Sequence, residues 1–241
     1  MDYVHRAERE ARLARALSRL AGRQQRELLT LLGDPPSMDN LPGDFWELMT
    51  RDFAGILTPE LEGVFLDSAK ELLQATPTIG VDWSLVNQSA ADWSRGHWLA
   101  GGMGGTQYQY PTGLAVLFSE RRKQELAKLI PAYFEQGWTM GQLRERMDAL
   151  FGPIWGEMVA STEVTRAAVQ GERAVVEAAK LEGLAMVEVW QTSNDEMVCP
   201  ICGPRHGKHE GDGWTQGDGP PAHPRCRCWT THELPPMEAQ P

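Results

Sequence analysis

The segment that decides the fold begins at Met186-Val-Glu-Val-Trp-Gln-Thr192, continues through Ser193-Asn-Asp195 and reaches Cys199-Pro-Ile-Cys202. In 186–192, β-branched residues alternate with other side chains, a pattern typical of a strand. Ser-Asn-Asp is a composition typical of a turn. The segment therefore predicts a change from helical to β structure directly before the first cysteine pair.

All four cysteines lie near the C-terminus, as Cys199, Cys202, Cys226 and Cys228. The intervening residues 203–225 are rich in glycine and proline and cannot bury enough apolar area to order themselves. For a chain that is expected in the cytoplasm, the expected cross-link is Zn²⁺ rather than disulfides. His223 and His206 lie close to the pairs, so a Cys3His set is an alternative to four cysteines. We predict a structural zinc site built from Cys199, Cys202, Cys226, Cys228 and His223.

Two other states of the cysteines stay open, namely two disulfides in a matured particle and free buried thiols. A catalytic zinc needs an open coordination position, which four cysteines tend to close. The H-x-E element of nucleobase deaminases does not precede Cys199. The glycine-rich stretch 100–113 lacks the Lys-Ser/Thr of a phosphate-binding loop and is predicted to be a loop. We therefore predict no catalytic residues and no enzymatic activity.

The chain before this segment has helical periodicity. Apolar spacing, N-cap residues and glycine breaks predict helices over 4–32, 44–57, 58–74, 82–99, 114–136, 139–150 and 155–182. The last of these is rich in small residues and is predicted to be largely buried. The fold class is thus mainly α with a small α+β C-terminal domain. The predicted units are a helical region 1–152, a domain 153–234 and a tail 235–241.

Charge and hydropathy limit the classes of partner. The net charge of −10 disfavours general nucleic-acid binding, although residues 1–32 carry 7 Arg against 4 acids. No run of about 18 apolar residues is present, which predicts no membrane span. The first ten residues lack the apolar region of a secretory signal. We expect the chain to be made in the cytoplasm.

The ordered motifs resemble a known family. Trp190-Gln-Thr-Ser-Asn-Asp195, Val198-Cys-Pro-Ile-Cys202, His206-Gly-Lys208 and Pro220-Pro-Ala-His-Pro-Arg-Cys-Arg-Cys228 are similar to the C-terminal signature of the Mu F-like head-morphogenesis family of tailed bacteriophages. Val159-Ala-Ser-Thr-Glu-Val-Thr-Arg-Ala167 on the preceding long helix resembles it too. The resemblance covers about residues 155–229.

This resemblance implies a minor head protein that acts in procapsid assembly near the portal and aids DNA packaging or ejection. The expected partners are the portal, scaffolding and major capsid proteins, and the expected location is the procapsid or virion interior of a phage growing in a bacterial host. Packaged DNA is a further expected partner, through the Arg-rich first helix. The alternative functions are a zinc-dependent nuclease using His206, His209, Asp195 or Asp212, and a nucleic-acid-binding module.

Several residues have both a structural and a functional interpretation. Asp195 is favoured as a turn residue over a catalytic carboxylate. Glu163 and Arg166, three apart on a helix, are expected to pair with each other or to bind the cysteine loop. The seven arginines of residues 6–26 are expected on a solvated helix face, and Trp83, Trp93 and Trp98 in the core rather than at a partner surface.

Overall fold

The computed structural model describes residues 3–76, 80–97, 113–215 and 219–235. Their helices and strands are α1 (Arg6–Leu32), α2 (Phe45–Ala75), α3 (Trp83–Arg95), α4 (Leu114–Gln136), α5 (Met140–Phe151), α6 (Pro153–Leu181), β1 (Val187–Gln191) and β2 (Trp229–Glu233). Short 3-10 helices occur at Met38–Asn40 and Gly203–Arg205. The predicted class, mainly helical with a small sheet and a Cys-rich loop region near the C-terminus, is confirmed.

Helix α6 lies at the centre of the bundle. One continuous apolar cluster joins α1, α2, α4 and α6, with Leu17, Leu57 and Val164 fully buried within it. A second cluster joins α1, α2, α4 and α5, and a third joins α2, α3 and α6. The core thus includes residues on both sides of 152/153, and the domain boundary placed there stays a prediction.

Helix ends follow the local signals. Thr139 accepts a hydrogen bond from the Gln142 backbone N–H, and Gln142 accepts one from the Thr139 N–H, so a full capping box opens α5. Gly137 adopts a left-handed conformation with φ of 62° directly after α4. Gly183, with φ of 88°, follows α6 in the same way.

The predicted helix break at Thr58-Pro59 is wrong, because α2 is a single helix that contains Pro59. Proline removes one backbone hydrogen bond and normally ends a helix. Here Leu57 and Leu61 are both fully buried in the same apolar cluster, on either side of the proline. Their packing holds the helix together where the local sequence favours an end.

The sheet consists of two antiparallel strands. Val187–Gln191 pairs with Trp229–Glu233, so Val187 lies opposite Glu233 and Gln191 opposite Trp229. The strand at 186–192 is confirmed, whereas its partner β2 was not predicted. The middle of β1 is buried on both faces, since Glu188, Val189 and Trp190 are each 3% exposed or less.

The core also contains a cation that the sequence did not indicate. Arg122 on α4 is 4% exposed and donates to the Gln24 side-chain oxygen and to the Leu150 carbonyl. Its guanidinium lies over the rings of Phe151 and Trp155, at 4.4 and 4.3 Å from their centroids. Burial lowers the pKa of Arg122 to about 9.

Three predictions fall outside the described residues, namely the loop over 100–113, apart from its last residue, the tail 235–241, apart from its first residue, and Trp98. Trp93 is half-buried and packs against the core, with its ring 5.7 Å from that of Phe65. Trp83 is half-buried in the same cluster. Within the described part of the chain, no helix combines the length and apolar character needed to cross a membrane.

Candidate metal centre

The two cysteine pairs meet beside the sheet. The Cys199 sulfur lies 3.1 Å from the His223 Nε2, and the Cys202 sulfur lies 3.4 Å from the same atom. The sulfurs of Cys202 and Cys226 are 3.8 Å apart. Two sets of three donors form, each with its ligand atoms within 4.8 Å of one another: Cys199, Cys202 and His223, and Cys202, Cys226 and Cys228. These five residues could hold a metal ion, and Cys202 belongs to both sets.

Two tryptophans form the apolar wall of this cluster. Trp190 from β1 is fully buried, and its ring packs edge-on against Trp214 with the centroids 5.4 Å apart. Both belong to one cluster with the buried Cys202, Cys226 and Cys228. An apolar wall limits the access of water to thiolates.

The thiols share their protons unequally. Hydrogen bonds from the Cys202 and Cys228 thiols lower the pKa of Cys226, and the same contact raises the pKa of Cys202. Although burial opposes its ionisation, Cys199 has a lowered pKa because the Cys202 backbone N–H lies 3.4 Å from its sulfur. Closely packed thiols and a thiolate are the donor set that a soft cation binds.

His223 has the ring orientation of a metal ligand. A carbonyl oxygen only accepts hydrogen bonds, so the His223 Nδ1, 2.9 Å from the Pro224 oxygen, carries the proton and donates it. The Nε2 faces the sulfurs of Cys199 and Cys202, and in the neutral imidazole it offers its lone pair to a metal there. Ligating histidines in proteins typically donate their other ring N–H to such a carbonyl.

An ion pair connects the first cysteine segment, residues 195–202, with the second cysteine segment, residues 223–228. Arg227, between Cys226 and Cys228, donates to both carboxylate oxygens of Asp195, at 3.0 and 2.8 Å. Asp195 also accepts from the Met197 backbone N–H, as expected of a turn residue. The Arg227 hydrogen bonds lower the pKa of Asp195. Asp195 therefore holds the turn before Cys199 against the second cysteine segment.

The second cysteine segment also binds the helical bundle. The Arg225 backbone N–H donates to the Thr162 hydroxyl. The Thr165 hydroxyl lies within hydrogen-bond distance of the Cys226 carbonyl, at 3.1 Å, and of the Ser161 carbonyl of its own helix, at 2.9 Å, and has one proton to donate to either. Arg6 of α1 reaches the same segment and donates to the carbonyls of Arg227 and Cys228. Helices α1 and α6 thus both hold the second cysteine segment in place.

The other histidines and acids of the predicted nuclease alternative belong to neither donor set. The His206 Nδ1 accepts from the Thr192 backbone N–H. His209 is 3.7 Å from Glu233, and Lys208 pairs with Asp212 at 3.0 Å. Among the described residues, the geometry does not bring His206, His209 or Asp212 together with the cysteines.

The expected pairing of Glu163 with Arg166 is present. The Arg166 Nε donates to a Glu163 carboxylate oxygen at 3.1 Å, and the His97 Nε2 lies 3.0 Å from the same oxygen. All three side chains are buried. Burial opposes ionisation of Glu163, but Arg166 and His97 outweigh it and the pKa of Glu163 is lowered.

A second buried polar group lies under the sheet and was not predicted. Arg173 of α6 donates to both carboxylate oxygens of Glu188 on β1, at 2.8 and 2.9 Å. Glu172 lies beside them and accepts from Thr230 at 3.4 Å. His232 has one ring nitrogen 3.6 Å from Glu172 and the other 3.9 Å from Glu188. No spacing in the sequence signals this group, because its members come from three separate elements.

Burial gives two members of this group unusual protonation states. Burial raises the pKa of Glu172 to about 8, with a contribution from the charge of Glu188. Burial lowers the pKa of His232 to about 4, although Glu188 opposes the change. At neutral pH Glu172 is therefore largely protonated and His232 largely neutral.

Comparison of the chain with protein-family models, with curated proteins and with solved structures finds no match.

Proposed function

We propose that this chain is a minor head protein of a tailed phage or prophage. We also propose that one structural Zn²⁺ holds together residues 185–230, which we call the Cys-rich unit. The observation behind the zinc site is a pair of three-donor sets, Cys199, Cys202 and His223, and Cys202, Cys226 and Cys228, which share Cys202. They come from two loops that have little regular structure of their own. Loops of this kind need an external cross-link to stay ordered.

Two of the three interatomic distances are close to those of a zinc site, and the third, 3.1 Å between the Cys199 sulfur and the His223 Nε2, is shorter. With Zn–S near 2.3 Å and Zn–N near 2.0 Å, a tetrahedral site places two sulfurs about 3.8 Å apart and a sulfur and a nitrogen about 3.5 Å apart. The Cys202 and Cys226 sulfurs are 3.8 Å apart, and the Cys202 sulfur and the His223 Nε2 are 3.4 Å apart. When bound, zinc would replace the shared thiol protons and contribute folding free energy directly.

The assembly role rests on the resemblance to the Mu F-like family, and the arrangement of its motifs supports it. Trp190 packs on the cysteines, Asp195 binds Arg227, and His206 accepts from Thr192. The motif residues thus contact one another and hold the cysteine unit together, which is the role of a binding scaffold rather than of an open catalytic site. The proposed location is the procapsid interior near the portal, with portal, scaffolding and major capsid proteins as partners.

A DNA contact would be an accessory property of α1. Arg9 and Arg12 pair with Asp67 and Glu60 of α2 and are not available for phosphates. The exposed arginines that remain along the helix are Arg15, Arg19, Arg23 and Arg26, of which Arg23 lies 3.8 Å from Asp52. They would carry any contact with packaged DNA.

Procapsid composition tests the assembly proposal. In the phage or prophage that encodes this chain, the parent chain is expected to sediment with procapsids, and the Cys199→Ser variant to be missing from them. Ser89→Ala, on an exposed position of α3, is the control and should be incorporated normally. Procapsids of normal composition that exclude the parent chain would contradict the proposal.

A further inference from the structure

Three consecutive backbone carbonyls of the second cysteine segment are bound from the helical bundle. The Thr165 hydroxyl lies 3.1 Å from the Cys226 oxygen and 2.9 Å from the Ser161 oxygen of its own helix, so its one proton serves either carbonyl. Arg6 donates to the Arg227 oxygen at 2.9 Å and to the Cys228 oxygen at 3.1 Å. Arg6 also donates to the Thr165 hydroxyl at 2.9 Å, so the two side chains form one connected unit. We call Arg6 and Thr165 the carbonyl-binding pair.

The pair is well placed to fix the segment. Thr165 is fully buried in the middle of α6, and the Arg6 side chain is 12% exposed. Arg6 lies in the first turn of α1, 222 residues before Cys228 in the chain. A hydrogen bond between such distant residues orders the cysteine segment against the bundle and not only within itself.

We propose that Arg6 and Thr165 are positioning residues for the metal centre, so that metal binding and docking of the first turn of α1 stabilise each other. The inference rests on the proposed metal site. Residues that orient metal ligands through hydrogen bonds commonly change metal affinity by about 10–100-fold when replaced. Because coupling between two events is reciprocal, the metal stabilises the α1 contact by the same factor.

Other contacts limit how much of α1 metal binding can stabilise. Tyr3 is 4% exposed, and Arg9 pairs with Asp67 of α2, which does not belong to the cysteine segment. The coupling therefore acts on the first turn of α1, around Arg6, and leaves the rest of the helix in place. Arg12 is a matched control on the same helix, since it pairs with Glu60 and not with the cysteine segment.

The first test measures zinc affinity of the full chain by competition with a chromophoric chelator. Arg6→Gln and Thr165→Val are each expected to weaken zinc binding about tenfold. The double variant should weaken it by less than the product of the two, because the two side chains act as one unit. Thr165→Ser, which keeps the hydroxyl, should restore the parent affinity, and Arg12→Gln should leave it unchanged.

A purely structural role would give a different result. In that case Arg6→Gln and Thr165→Val lower the free energy of unfolding but leave zinc affinity equal to that of Arg12→Gln. Unchanged affinity in both variants, with zinc bound by the parent chain, overturns the positioning role alone. A parent chain that binds no zinc overturns the metal site and this inference together.

The second test measures the reciprocal effect by hydrogen exchange in peptides covering residues 3–16. In the parent chain and in Arg12→Gln, removal of zinc should speed exchange in this region. In Arg6→Gln, exchange should already be fast and should not respond to zinc. Equal exchange with and without zinc in the parent chain would contradict the coupling.

Discussion

At the scale of single residues, the protonation of His223 decides its role. Its Nδ1 donates to the Pro224 carbonyl and its Nε2 faces two cysteine sulfurs. We therefore expect His223 to be the fourth ligand beside Cys199, Cys202 and Cys226. His223→Gln should weaken zinc binding by more than about tenfold, measured by chelator competition.

Cys228→Ser is the comparison for this prediction. Cys228 lies in the second donor set, and its pKa is raised to about 12 by the Cys226 contact and burial, although the Cys202 contact lowers it. The variant should keep a zinc affinity close to that of the parent. The opposite order of the two affinities would assign the fourth position to Cys228.

Glu172 predicts a pH dependence of stability. The pKa of Glu172 is about 8 in the folded chain, against an ordinary value of 4.5. The folded state thus keeps a proton that the unfolded state loses, so this stabilisation is full below pH 4.5 and is lost as the pH rises through 8. His232 acts in the opposite direction, but only below its ordinary value of 6.5. Of these two residues, Glu172 therefore dominates the change in the free energy of unfolding between pH 6.5 and 8.

Urea unfolding of the zinc-saturated chain at pH 6.5 and 8 measures this effect. The free energy of unfolding should fall by about 1 kcal/mol per pH unit more in the parent than in Glu172→Gln. Glu177→Gln, at an exposed position of the same helix, should behave as the parent. An equal fall in the free energy of unfolding between the two pH values for the parent and Glu172→Gln would show that Glu172 does not keep its proton.

Site residues differ in how far the sequence predicts them. The cysteines and His223 are predictable because ligands two or three residues apart are a local pattern. Glu172, Glu188 and His232 come together only through the pairing of β1 with β2 on α6. Arg122 has no local signal either, because its aromatic partners lie on other elements.

At the scale of elements, Gly171 sets the distance between α2 and α6. A Cβ at Gly171 would overlap the Phe65 backbone carbonyl, so the two helices must move apart. Gly171→Ala should lower the free energy of unfolding by about 3 kcal/mol, measured by urea unfolding. The loss arises from a backbone clash that no side-chain rotation relieves.

Gly55→Ala is the matched control on α2. An added Cβ at Gly55 meets nothing within 4 Å, and the residue is exposed in the helix interior. This substitution should stabilise the chain by up to about 1 kcal/mol, because alanine favours helix more than glycine. Equal effects of the two substitutions would contradict the close approach of the helices.

Elements were predictable where their signals are local. The capping box at Thr139 and the glycine after α6 lie within one turn of the helix ends that they define. Two errors have non-local causes. Pro59 stays in α2 because of tertiary packing, and the five-residue β2 depends on pairing with β1, which begins 42 residues earlier in the chain.

At the scale of the whole molecule, the bundle and the Cys-rich unit differ in what stabilises them. The bundle contains three apolar clusters, whereas the cluster of the Cys-rich unit consists of two tryptophans and the cysteines themselves. Cys199→Ser should therefore unfold residues 185–230 and leave the N-terminal helices formed. Limited proteolysis and near-UV circular dichroism check this, and retained protease resistance of 185–230 would contradict it.

The sequence predicts the fold class of the molecule but not how its helices and its Cys-rich unit pack together. Helical periodicity and cysteine spacing give a helical region followed by a Cys-rich unit. The central position of α6 and the contact of Arg6 with Arg227 do not follow from any local pattern. Such contacts depend on how amphipathic faces are paired, and several pairings satisfy the same periodicity.

The most direct test of the account measures metal content and thiol reactivity together, on full-length protein purified without added metal. We expect about one zinc per chain and cysteines that react with a thiol reagent only after chelation. Protein without metal, in which all four thiols react at once, would contradict the zinc-stabilised unit at the centre of this account.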